Sequence, residues 1–138
     1  MKQFIVLCAI LPLLLIFMLQ FTLDQTISAK SGIVADMVYA AKEEAKQAGC
    51  FTADIQSRLR ANLSQALGIS ADEIEITATE DVRYRLTDTS GDLSRGLIYY
   101  KVSVPIGDAM AGMGFFGLGR NNTYVCTVES YAASEKLP

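Results

Sequence analysis

The chain has 138 residues, 51% hydrophobic and 20% charged, enough for one small folded domain and an apolar segment but not for two domains. Histidine is absent, which excludes His-dependent triads, His-ligated zinc and His proton shuttles. With a net charge of −3 and no basic stripe to neutralise phosphates, nucleic acid is not expected as a partner of this chain.

Charge is unevenly spread. Lys2 is the sole charged residue before Asp24, and Gln3 to Leu23 (QFIVLCAILPLLLIFMLQFTL) carries none. As a helix this stretch spans about 30 Å, the hydrocarbon thickness of a bilayer. A cleaved secretory signal has a shorter apolar run ending in a small-residue site, whereas Ile27-Ser28-Ala29 puts a large residue at −3. Lys2 places the N-terminus in the cytoplasm and the chain after Leu23 outside. Pro12 removes the amide that would bond the Cys8 carbonyl, so a bend or locally melted turn is expected there, as a hinge or as a proline that a membrane helix tolerates.

The helical pattern continues past Leu23. Ile27, Val34, Met37, Val38, Ala41, Ala45 and Ala48 recur at spacings of three, four or seven, while Lys30, Asp36, Lys42, Glu43, Glu44 and Lys46 take the other faces. Gly32 weakens this stretch by only about 1 kcal/mol relative to Ala, and Gly49 stops it. The reading is one helix of about 45 residues and about 65–70 Å, with segment 1–23 apolar all round and segment 24–49 amphipathic.

Residues 50–138 read as an α+β head. Thr52 caps a second helix running to Leu67, with Ile55, Leu59, Leu63, Ala66 and Leu67 on one face and Gly68 as the stop. Ser70 to Glu73 fits a capping box that starts a short helical turn. The period then becomes two, which predicts a small four-stranded antiparallel sheet. Its strands centre on Ile74, Ile76 and Ala78; on Val82, Tyr84 and Leu86; on Ile98, Tyr100, Val102 and Val104; and on Tyr124, Cys126 and Val128. Asp88 to Asp92 (DTSGD) is the turn after the second, and a plain turn is favoured over a calcium loop because the alternate acidic ligands are missing.

Cys8 lies in the apolar run as a small hydrophobe. Cys50 and Cys126 both fall outside the membrane, where a disulfide between them is permitted; two separately buried thiols are the alternative. GMGFFG matches a dinucleotide fingerprint only formally, since the residues after it lead into a strand. Its loop presents Met113, Phe115 and Phe116 as a contact surface, or folds them over the sheet edge. Glu73, Glu75, Glu80 and Asp81, followed by Arg83 and Arg85, read as a solvated face. No catalytic set, cofactor site or metal site emerges, so an enzyme is not expected. A thiol oxidoreductase would need a C-x-x-C pair or an activating His.

FIVLCAILPLLLIFMLQFTLDQ at the front, KEEAKQAG with its glycine stop, the entry GISADEIEI into the sheet and the loop GMGFFGLG before the last strand together resemble the type IV pilin superfamily, and within it the TadE-like small pilin-like proteins of tight-adherence and conjugation-type loci. The resemblance implies a structural filament subunit held in the membrane as a precursor and then carried on the cell surface. Its partners would be identical subunits, with a prepilin peptidase and a pilus assembly machine acting on it. Phe4, Ile5, Leu7, Ile10, Leu14, Phe17 and Phe21 would then face neighbouring helices in the filament core. The family pattern has a short basic leader and a Glu at the fifth mature residue. Here position 5 is Ile5 and no leader is visible, so Met1 is expected either to be the first mature residue or to belong to a subunit processed differently. Asp24 of one subunit, set near Lys2 or the free amine of a staggered neighbour, would replace the missing Glu as an assembly ion pair. A bitopic accessory protein or minor pseudopilin is the alternative to a bulk subunit.

Overall fold

The computed structural model describes residues 1–85, 96–111, 117 and 122–137. Helix α1 runs Lys2–Ala48 and ends as the sequence dictates: Gly49 takes the left-handed conformation at φ 84°, and its N–H donates to the Ala45 carbonyl. Helix α2, Ala53–Leu67, begins on Thr52, whose hydroxyl oxygen accepts from the Ile55 N–H, and ends on a left-handed Gly68. Thr52→Ala is expected to cost about 1 kcal/mol, read as a lower thermal midpoint with an unchanged fold. After α2 the Ser70 N–H donates to Glu73 Oε2, and a single 3-10 turn, Ala71–Glu73, leads into the sheet.

The strands are β1 (Glu75–Ala78), β2 (Leu97–Asp108) and β3 (Thr123–Ala133), in the order β1-β2-β3 and antiparallel throughout. The register sets Ile76 opposite Val102, Val102 opposite Val128, and Ile98 opposite Ala132. Between Pro105 and Gly107 the pairing slips by one residue, which leaves Ile106 without a partner on β3 yet fully inside. One face of β2 (Ile98, Tyr100, Val102, Val104, Ile106) closes on Val34, Val38, Ala41 and Ala45 of α1 and on Ile55, Leu59 and Leu63 of α2. Phe51, in the link between the helices, lies against Tyr100 with ring centroids 5.5 Å apart. Two helices on one face of a short sheet therefore make a two-layer α+β head, and α1 supplies its core only from its second half.

Three expectations are corrected. The fourth strand is not formed among the described residues. Residues 82–85 belong to no strand: the Arg83 N–H donates to the Gly49 carbonyl and the Arg85 N–H to the Lys136 carbonyl, so their backbone is taken up by a helix end and the C-terminal tail rather than by a ladder. Val82 and Tyr84 alternate as expected yet are exposed, burying nothing that would pin them to a sheet. Leu86 and the DTSGD turn lie outside the described residues.

Cys50 and Cys126 are both free thiols. Cys50 adjoins Phe51, whose N–H bonds the Thr79 carbonyl beside Tyr99, whereas Cys126 pairs with Val104. Five residues of strand, about 17 Å, separate those two levels of β2, far beyond the ~7 Å between α-carbons that a disulfide spans. Pro12 leaves no melted turn, since α1 is one helix from Lys2 to Ala48 through it. One forfeited hydrogen bond is offset by the intact turns on either side.

Candidate assembly and membrane surface

The strands run alongside α1, and three polar ties fix the alignment. At the far end the Glu135 N–H donates to the Lys46 carbonyl. In the middle Lys30 Nζ donates to the Ile106 carbonyl at 3.0 Å, where the bulge turns that carbonyl toward the helix. At the near end the Gln20 amide grips the backbone just past β2: its Nε2 donates to the Ala109 carbonyl and to Asp24 Oδ1, and its Oε1 accepts the Ala111 N–H at 2.9 Å. Asn122, itself buried, completes this corner. Its Nδ2 donates to the Met110 carbonyl at 2.7 Å, and its Oδ1 accepts the Met110 N–H at 2.9 Å.

Gln20 is therefore where the head begins on α1, and before it the helix is bare. Every residue from 1 to 19 is exposed, including the whole apolar set Phe4, Ile5, Leu7, Ile10, Leu14 and Phe17; Phe21, one position on, also points outward. None of the most apolar window of α1 is covered by the rest of the chain. From Lys2 to Leu19 this bare cylinder is about 27 Å long, close to a bilayer's apolar thickness. Fully covering a large apolar side chain contributes roughly 1.5–3 kcal/mol, so a rod of this size is compatible with anchoring in a membrane.

Of the other candidate residues, Lys2 sits at the open end of the rod, and Asp24 just beyond its base, where it accepts from Gln20. Cys8 is exposed on the rod. Met113, Phe115 and Phe116 lie outside the described residues. Sequence reasoning passed over Gln20, Lys30 and Asn122. Gln20 left a signal, since an amide in an apolar run must find a partner. Asn122 left none beyond its place in the Asn121-Asn122-Thr123 sequon. Among the described residues no cluster of His, Cys, Asp and Glu could hold a metal ion.

The far tie is ionic as well. Lys46 Nζ meets Glu135 at 2.8 Å and Glu43 at 3.2 Å, so hydrogen bonding to Lys46 lowers the Glu43 pKa, and hydrogen bonding to Glu135, then to Glu43, raises that of Lys46. A depressed carboxylate contributes above its unfolded pKa and is lost as pH falls through the folded value; a raised lysine contributes below its unfolded pKa and is lost as pH rises through the folded one. The tie is thus complete from weakly acidic to weakly alkaline pH. A carbon-detected NMR titration is expected to place the Glu43 carboxyl midpoint below the ordinary glutamate range, and Lys46→Met to raise it only part of the way back, because Lys42 Nζ also stands 3.3 Å from Glu43 and lowers it. Because these groups remain partly open to solvent, added salt should weaken the effect.

No family model, curated protein or solved structure matches the chain.

Proposed function

We propose that this chain is the structural subunit of a pilus-like extracellular filament, held in the membrane by residues 1–19 before assembly and packed through them afterwards. The observation that carries this reading is the uncovered apolar half of α1, continuous as one helix into a half that packs in the core of the head. Exchange of lipid for identical helices then drives assembly, and repeated head-to-tail contacts that do not close generate a helical fibre. Phe4, Ile5, Leu7, Ile10, Leu14, Phe17 and Phe21 form the fibre core, and the heads coat it.

Lys2 and Asp24 are about 33 Å apart along one helix, so they meet only between neighbours staggered by about that rise. Asp24→Lys is expected to abolish fibres, and the exchanged pair Lys2→Asp with Asp24→Lys to restore them; full assembly of the single variant removes the ion pair. The subunit itself is tested by shearing cells, imaging the released fibres by electron microscopy and sequencing the N-terminus of the fibre protein. Recovery of this chain only from the membrane fraction, never from fibres, favours a bitopic accessory protein. The match between bare-helix length and bilayer thickness would suit that second reading equally.

A further inference from the structure

We infer that the corner of the head just past β2, with Met110 at its tip, is a second membrane contact that seats the head against the lipid interface. This rests on α1 spanning the bilayer and not on filament formation.

The level of Met110 follows from its neighbours. Gln20 is the first residue of α1 that the head covers, and the ~27 Å of bare helix before it fills the hydrocarbon layer, so the Gln20 amide stands at the edge of that layer. The residues on either side of Met110 are bonded to that amide, Ala109 through its carbonyl and Ala111 through its N–H. Met110 can therefore lie no more than a few ångströms from the plane of Gln20. Its own backbone is held on both polar groups by Asn122. Two amide side chains thus hold the backbone from Ala109 to Ala111, yet the Met110 side chain is 55% exposed. None of the buried core among the described residues includes this flexible apolar side chain, and at that level a spanning α1 brings it to the edge of the lipid. Among the described residues, the charged groups around the corner are Asp24 and Asp108, with Lys30 engaged by the Ile106 carbonyl. The contact is that of the apolar Met110 side chain, so it forms on neutral lipid.

The absence of tryptophan makes the test direct, since each introduced Trp reports alone. The full chain is reconstituted into neutral phosphatidylcholine vesicles as Leu14→Trp, Met110→Trp and Tyr131→Trp, the last lying on β3 about 26 Å of strand from the corner. Quenching by acrylamide and by lipids brominated at set depths is then compared. Expected are deep-lipid quenching at position 14, and quenching at position 110 by lipid brominated near the headgroup at several-fold the level of position 131. If 14 is quenched by lipid but 110 is as water-accessible as 131, this inference fails and the spanning helix stands. If 14 is not quenched by lipid, both fail. Adding Gln20→Ala to Met110→Trp is expected to raise acrylamide quenching at 110 and lower its fluorescence anisotropy; no change would overturn the positioning by Gln20.

Discussion

Gly49→Ala is expected to destabilise the head by about 3 kcal/mol, lowering its thermal midpoint by on the order of 10–20 °C in detergent-solubilised protein. Two independent costs combine. At φ 84° a β-carbon meets its own backbone, and an ideal β-carbon at this position would also stand 2.5 Å from the Arg83 carbonyl oxygen and 2.9 Å from Lys136 Cδ. The lysine stem can move. The carbonyl cannot move freely, because the Arg83 N–H bonds the Gly49 carbonyl and the Arg83 carbonyl accepts from the Ser134 hydroxyl. Gly32→Ala is the matched control: nothing lies within 4 Å of its would-be β-carbon, so a gain of about 0.5–1 kcal/mol is expected from helix propensity. Equal melting of the two variants would show that the junction of α1, residues 82–85 and the tail is not built as described.

Leu14→Lys is expected to separate anchoring from folding. A lysine near the bilayer centre costs about 2.5–3.5 kcal/mol on an insertion scale, which corresponds to roughly a hundredfold loss of the inserted fraction and, in a fibre, leaves an unpaired charge among apolar helices. Residues 1–19 touch no part of the head core, so its melting in detergent should be unchanged. Val38→Lys should do the reverse, because Val38 is 1% exposed at the centre of the core. Membrane fractionation and circular dichroism of the two variants check both halves. Unfolding of the head by Leu14→Lys would contradict the independence of the two halves of α1.

How much of this was legible in the sequence depends on whether a feature is local. α1 and α2 could be read because their periodicity and caps, Gly49, Thr52 and Gly68, are written within a few residues of where they act. The core stripe Val34, Val38, Ala41 and Ala45 followed from spacing alone. Features that depend on what lies opposite were not legible. Alternation at Val82 and Tyr84 reads as a strand, and only the tertiary fold decides that the backbone there bonds to Gly49 and Lys136 instead. The cysteine pairing failed for the same reason: register, not composition, sets Cys126 against Val104. On the surface itself the apolar rod was evident, but its lower limit was not. Treating residues 1–23 as uniform hid Gln20, whose bonds run to residues 109 and 111 and have no local signature.

The bond between the Lys46 carbonyl and the Glu135 N–H joins points about ninety residues apart in the chain, and that separation has a consequence for biogenesis. Ile98, Val102 and Val104 gain their β3 neighbours only after nearly all of the chain has been made. Until then the sheet lacks its longest pairing, and α1 and α2 stand complete while their partner face is still missing. Closure of so large a loop comes late, so the two helices wait on the last strand before the head becomes compact.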